Sequence, residues 1–121
     1  MKVTRFEDLE IWQEARIIIK SIYNLTSKDK FAKDFGLRDQ IQRAAVSIMN
    51  NIAEGFERDN NKEFLRFLSY AKGSAGEVRS LLYVVLDLEY ITKTEFETIY
   101  EASSIIIKKI SSLIKYLKTI T

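Results

Sequence analysis

The 121-residue chain contains no cysteine, no histidine and no proline, and only four glycines. Without cysteine there is no disulfide, no thiol nucleophile and no thiolate-bound zinc. Without histidine the commonest general base and the commonest metal ligand are missing. Ser-His-Asp and Cys-His catalysis are excluded, and the di-iron bundle pattern, which needs Glu-x-x-His, is excluded with them. Without proline, little interrupts a helix. There is no apolar run of 18 residues and no basic start followed by an apolar segment, so neither a membrane span nor a secretory signal is expected. These absences lead to the expectation of a soluble, cytoplasmic, non-enzymatic helical protein. No cofactor, membrane or small-molecule substrate is expected.

What is present is ordinary for a globular chain: 46% hydrophobic and 30% charged residues. The length predicts one domain, residues 1–121, large enough to fold without a metal or a disulfide. Nineteen Lys and Arg against 17 Asp and Glu leave a net charge of +2, too small to argue nucleic-acid binding alone. Residues 101–121 carry four cations, Lys108, Lys109, Lys115 and Lys118, and one anion. Their simplest role is to complement the end of the last helix. Acidic pairs such as Glu7 with Asp8, or Glu95 with Glu97, lack the spacing of a dedicated metal site.

Apolar periodicity is helical nearly throughout. It predicts helices over about 6–26, 35–58, 61–89 and 93–118. In the first, Leu9, Trp12, Ala15, Ile19, Ile22 and Tyr23 share a face that Ile11, Ile18 and Leu25 widen. A polar link, Ser27 to about Asp34, follows. The second has Leu37, Ile41, Ala45, Ile48, Ile52 and Phe56. The third has Phe64, Phe67, Leu68, Ala71, Ala75, Val78, Leu82, Val85 and Leu86, and the fourth runs from Phe96 to Leu117. Asn60 and Glu63 have capping-pair spacing. Thr92 to Glu95 is a capping box, with Ile91 and Phe96 as its hydrophobic staple. Four amphipathic helices with short links predict an all-α, up-down-up-down antiparallel four-helix bundle.

Three features exceed what a bundle core needs. Gln40, Arg43, Ser47, Asn51, Glu54 and Arg58 fall within about 80° on the second helix, beside the apolar stripe. Gln, Ser and Asn there read as a packing seam in which Ser47, Asn51 and Glu54 are buried, as a ligand or nucleic-acid face, or as a solvated face. Gly73-Ser74-Ala75-Gly76 interrupts the third helix with small residues. Each glycine costs about 1 kcal/mol there against alanine, which predicts close packing within the chain or between subunits. The spacing is not that of a phosphate-binding loop. Glu77, on the same helix, is placed to answer Arg43 or Arg58. Finally Ile17, Leu81, Val84, Leu88, Ile105 and Tyr116 lie off the core stripes and predict self-association.

The motifs resemble a known family. Phe6 to Ala15 is similar to its F-x-D-L-x-x-W-x-x-A signature. Arg43 to Phe56 is similar to R-A-x-x-S-I-x-x-N-I-A-E-G-F, and Lys62 to Glu77 to its third conserved segment. This is the four-helix-bundle family encoded in intervening sequences of bacterial 23S rRNA genes, also called a ribosomal protein family. The accessory protein of diversity-generating retroelements is a related member. The resemblance implies a left-handed bundle, often a homopentameric ring. The retroelement relative binds nucleic acid and a reverse transcriptase through a basic barrel, and this chain departs from it in being only mildly basic. Glu57 stands where the family often has a small residue and adds a negative charge beside Arg58. The expected function is a homo-oligomeric RNA-binding or ribonucleoprotein-accessory protein associated with 23S rRNA. Its candidate phosphate contacts are Arg38, Arg43, Arg58, Lys62, Arg66, Lys72 and Arg79. The alternative is a scaffold without nucleic acid, in which Gln40, Ser47, Asn51, Glu54, Gly73, Ser74 and Glu77 serve only as seam or interface. With Phe64 and Phe67 assigned to the core, no aromatic stacking platform is expected.

Overall fold

The computed structural model describes residues 2–121. A 3-10 turn, Phe6–Asp8, precedes five helices: α1 Glu10–Thr26, α2 Asp29–Lys33, α3 Phe35–Glu57, α4 Asn61–Asp87 and α5 Lys93–Thr119. No strand occurs among the described residues. Two boundaries differ from the sequence expectation. The first helix begins at Glu10, not Phe6, because Leu9 is extended (φ −73°, ψ 127°) and turns its side chain into the core. The polar link is not all loop: it contains α2, where Phe31 is buried and stacks on Tyr90 at 5.4 Å between ring centroids.

Local chemistry explains where the helices start and stop. The Asp34 side chain accepts from the Leu37 N–H at 3.3 Å and starts α3. Asn60 accepts from the Glu63 N–H at 3.0 Å and starts α4. Thr92 and Glu95 complete a reciprocal capping box at α5, with bonds of 2.9 and 3.1 Å, and Ile91 and Phe96 are both buried beside it. After α3 and α4 the chain reverses through Asp59 (φ 52°) and Glu89 (φ 59°). This left-handed backbone usually falls to glycine and costs other residues roughly 1–2 kcal/mol.

The four long helices touch in the order α1–α3–α4–α5 and back to α1, with α3 against α4 the largest interface. The core seam of α1 is Ile11, Ala15, Ile18, Ile22 and Thr26, which shifts the predicted face. Trp12 and Ile19 lie at its half-buried margin, and Tyr23 is 45% exposed. Thr26 is a buried polar residue but a satisfied one: its hydroxyl donates to the Tyr23 carbonyl and accepts from Gln42 Nε2 at 2.9 Å. Of the off-core apolar set, Leu81 is half-buried against the core, whereas Ile17, Val84, Leu88, Ile105 and Tyr116 are exposed. Between α1 and α5, Lys109 binds both Glu10 and Glu14, the latter at 2.6 Å. Lys109 is therefore a cross-helix clamp, beyond the helix-end complement expected of it.

At the α3–α4 turn, Gly55 is pressed against α4. A Cβ there would meet the Phe67 Cβ at 2.6 Å and the Phe64 ring at 3.1 Å. The first contact is next to backbone and has little room to move. Gly55→Ala is expected to destabilise the fold by about 1–3 kcal/mol through overpacking, read as a lower urea midpoint with an unchanged slope.

Candidate interaction surface

Ser47 and Ser74 join α3 to α4 through a hydroxyl–hydroxyl bond of 2.8 Å. Gln40 reaches Glu77 across the same seam at 3.5 Å, so Glu77 answers Gln40, not Arg43 or Arg58. The rest of the polar stripe departs from the buried-seam expectation. Asn51 is half-buried and donates to the Ser47 carbonyl and hydroxyl, 2.8 and 2.9 Å away on its own helix. Glu54 is exposed and pairs with Arg58 one turn on, at 3.1 Å. The stripe is too wide for one seam: Gln40, Ser47 and Arg58 reach α4, whereas Arg43 and Glu54 face outward.

The small-residue segment divides: Ala75 is buried and Ser74 bonds Ser47 across the seam, while the two glycines face away from it. A Cβ at Gly73 or Gly76 would meet nothing within 4 Å, so neither glycine is needed for packing inside the chain. The glycine the fold requires is Gly55. Gly73 is exposed in mid-helix, with Ser69, Tyr70, Glu77 and Ser80 exposed around it.

The seven candidate phosphate contacts divide sharply. Arg38 is half-buried and holds the α2–α3 connection: it donates to the Ala32 carbonyl at 2.9 Å, pairs with Asp39 at 3.0 Å and lies over the Phe35 ring. Arg79 is half-buried against α5 and donates to the Tyr100 hydroxyl at 2.6 Å while lying over its ring at 4.7 Å. That guanidinium, by its hydrogen bond, holds the Tyr100 phenol below its ordinary value. Arg58 and Arg66 converge over the Phe67 ring, at 5.1 and 4.9 Å. Arg66 makes two bonds to the Glu63 carboxylate, 3.0 and 2.9 Å, and Arg58 stands 4.0 Å from the same group. Glu63 thus turns to Arg66, and the capping pair with Asn60 is made in one direction only. Arg43, Lys62 and Lys72 remain: all three are exposed and none is ion-paired among the described residues.

A shallow groove of about 600 Å³ runs along the outward face of α3, walled on one side by Tyr23 of α1. Arg43, Asn50, Asn51 and Gln42 line it. The sequence reading missed Tyr23, Gln42 and Asn50. Tyr23 sits at the margin of the α1 stripe, where one helical step decides between core and surface. Asn50 adjoins Asn51, and two consecutive asparagines in mid-helix, poor helix formers both, were the available signal. Among the described residues, no three acidic side chains converge as a metal site, and no helix is long and apolar enough to cross a membrane.

The family model of the 23S rRNA-intervening sequence protein matches residues 7–112. The chain belongs to that family. A crystal structure of a protein of unknown function from the S23 ribosomal protein family, from Bacteroides thetaiotaomicron, is similar to it, with a TM-score of 0.80 and 28% identity over 87% of this chain and 95% of that one. No curated protein matches the chain.

The Glu63–Arg66 pair has a pH signature. Arg66, chiefly by its hydrogen bonds, lowers the Glu63 carboxyl below its ordinary value. A carboxyl whose folded pKa is depressed contributes stability above its unfolded pKa and loses it as pH falls through the folded one. The Tm difference between wild type and Glu63→Gln is therefore expected at neutral pH and should shrink toward zero on strong acidification, measured in matched melts at fixed salt.

Proposed function

We propose that this family member is a non-catalytic, self-associating bundle that binds RNA in the bacterial cytoplasm as an accessory of a 23S rRNA ribonucleoprotein. The observation that carries the reading is the exposed face of α4. It offers Lys72 next to mid-helix glycines whose Cβ positions face open space, and Lys62 about three turns before them, neither ion-paired among the described residues. A monomer gains nothing from those glycines and loses about 1 kcal/mol of helix stability at each. A neighbouring backbone would gain close access. Val84, and Leu88 at the C-cap of α4, 44% and 49% exposed, extend the face toward its other end. The order of helix contacts supports an up-down-up-down bundle, taken as left-handed, and the ring of five subunits is the assembly the family resemblance favours. A ring repeats each weak cationic contact and raises the avidity for a polyanion well above that of one subunit.

The seven-residue phosphate set reduces in this reading to Arg43, Lys62 and Lys72. Arg38, Arg58, Arg66 and Arg79 already serve carboxylates, a carbonyl or aromatic rings within the chain. Nearly balanced net charge favours a second reading, a protein scaffold with no RNA. The two are separated by titrating the protein into labelled single-stranded RNA at several salt concentrations while native mass spectrometry reports its mass. An oligomer whose RNA affinity falls linearly on a log–log salt plot is expected. Lys62→Glu with Lys72→Glu should weaken binding to every RNA alike and leave the melting temperature near wild type. Binding absent at low salt leaves the scaffold.

Substitution at the bare helix face tests assembly by itself. Gly73→Ala should raise monomer stability by about 1 kcal/mol, as an added helix former in open space does. Gly73→Leu should lower the oligomeric mass. A monomeric wild type at micromolar concentration overturns self-association.

A further inference from the structure

Three properties distinguish the α3 groove from an ordinary solvated helix face. The first is charge. Its two rim carboxylates are already answered within the chain, Asp39 by Arg38 at 3.0 Å and Glu54 by Arg58 at 3.1 Å. Arg43, between them in sequence, has no such partner among the described residues, so the groove keeps one available guanidinium beside paired acids. The second is the kind of polar group. Asn50 forms no side-chain hydrogen bond among the described residues, and Asn51 and Gln42 spend their N–H groups on Ser47 and Thr26. An unused amide donor on Asn50 and unused carbonyl oxygens on Asn51 and Gln42 thus line one concavity. The third is the wall. Tyr23 is 45% exposed, and its ring takes no part in any aromatic pair among the described residues.

A flat aromatic face, mixed amide donors and acceptors and one cation form the set that holds an unpaired nucleotide. The ring stacks on the base, amides bond its edge and the guanidinium takes the phosphate. The groove volume of about 600 Å³ lies within the range of small-molecule sites. We infer that this groove between Tyr23 and α3 receives an unpaired base of single-stranded RNA, with Arg43 on the adjoining phosphate. The inference rests on the RNA-binding reading and adds a base-sensitive contact to its otherwise electrostatic surface. Double-stranded RNA, whose bases are stacked inside the helix, cannot enter.

The test uses the full chain in its native assembly and fluorescence anisotropy with labelled 12-mers of rU, rA, rC and rG, plus a duplex of equal length, at one low salt concentration. Wild type is expected to bind single strands more tightly than the duplex and to discriminate among the homopolymers. Tyr23→Ala should weaken single-strand binding by roughly tenfold. Asn50→Ala should compress the differences among homopolymers, and neither variant should change the salt slope. Tyr23→Phe, which keeps the ring, should restore tight binding. Both positions are exposed, so the variants are expected to fold, which circular dichroism melts check. Equal affinity for all homopolymers, or no response to Tyr23→Ala, overturns the inference while salt-dependent binding still stands. Loss of oligomeric mass in Tyr23→Ala or Asn50→Ala identifies the groove as a contact between copies and overturns it too. Absence of binding to any RNA removes the RNA reading itself, and this inference with it.

Discussion

The close approach of α3 and α4 at Gly55 sets the geometry of the bundle. Only a residue without a Cβ lets the Phe67 side chain seat where it does, with Phe64 beside it. The buried stripes of α3 and α4 then run together, and the largest interface of the fold follows. Once that hairpin is set, α5 packs on α4 and α1 on α3, and each needs only one further neighbour to bury its remaining apolar edge. The ring closes where α1 meets α5, and there a lysine bridging two glutamates supplements a thinner apolar contact. Exposed pairs of that kind contribute little to stability, so the closing seam depends on the hairpin more than on its own ions.

The four long helices, the caps at Asn60 and Thr92 and most of the core were legible in the sequence, because a 3.6-residue repeat and a capping box are local signals. The errors have one physical origin, which is that periodicity fixes a direction on the helix but not how far burial extends from it. Tyr23 and Ile18 are both near the apolar stripe of α1, yet packing against α3 and α5 buries the second and leaves the first wet. Glu54 shares a stripe with Ser47, but only Ser47 lies at the edge α4 reaches. The glycines illustrate the same limit. Gly55 and Gly73 are equivalent to a propensity scale, and only the position of the neighbouring helix separates one that is sterically required from one that faces open space. Phe31 escaped notice because a five-residue helix has no period to read.

The basic residues teach a parallel lesson about surface charge. A count of arginines on α3 and α4 overstates what a ligand would meet, since guanidinium groups are good internal connectors. Planar donors bind a carboxylate by two edges, as Arg66 binds Glu63, and lie flat on rings, as Arg58 and Arg66 do on Phe67. The cations left over are few, and two of the three are lysines, whose compact charge on a flexible stem is suited to an irregular phosphate track.

Val3 and Thr4 line the same cleft as Leu117 and Ile120, beside the Asp59–Asn61 turn. The two ends of the described chain therefore meet at one end of the bundle, and the α4–α5 turn lies at the other. A short peptide could join those ends, and new ends could be opened at the exposed turn after α4, giving a circular permutant with the same helix neighbours. The same geometry bears on any assembly of several copies. Fused tags or domains would all emerge from the α3–α4 end of each subunit, and the opposite end would stay free.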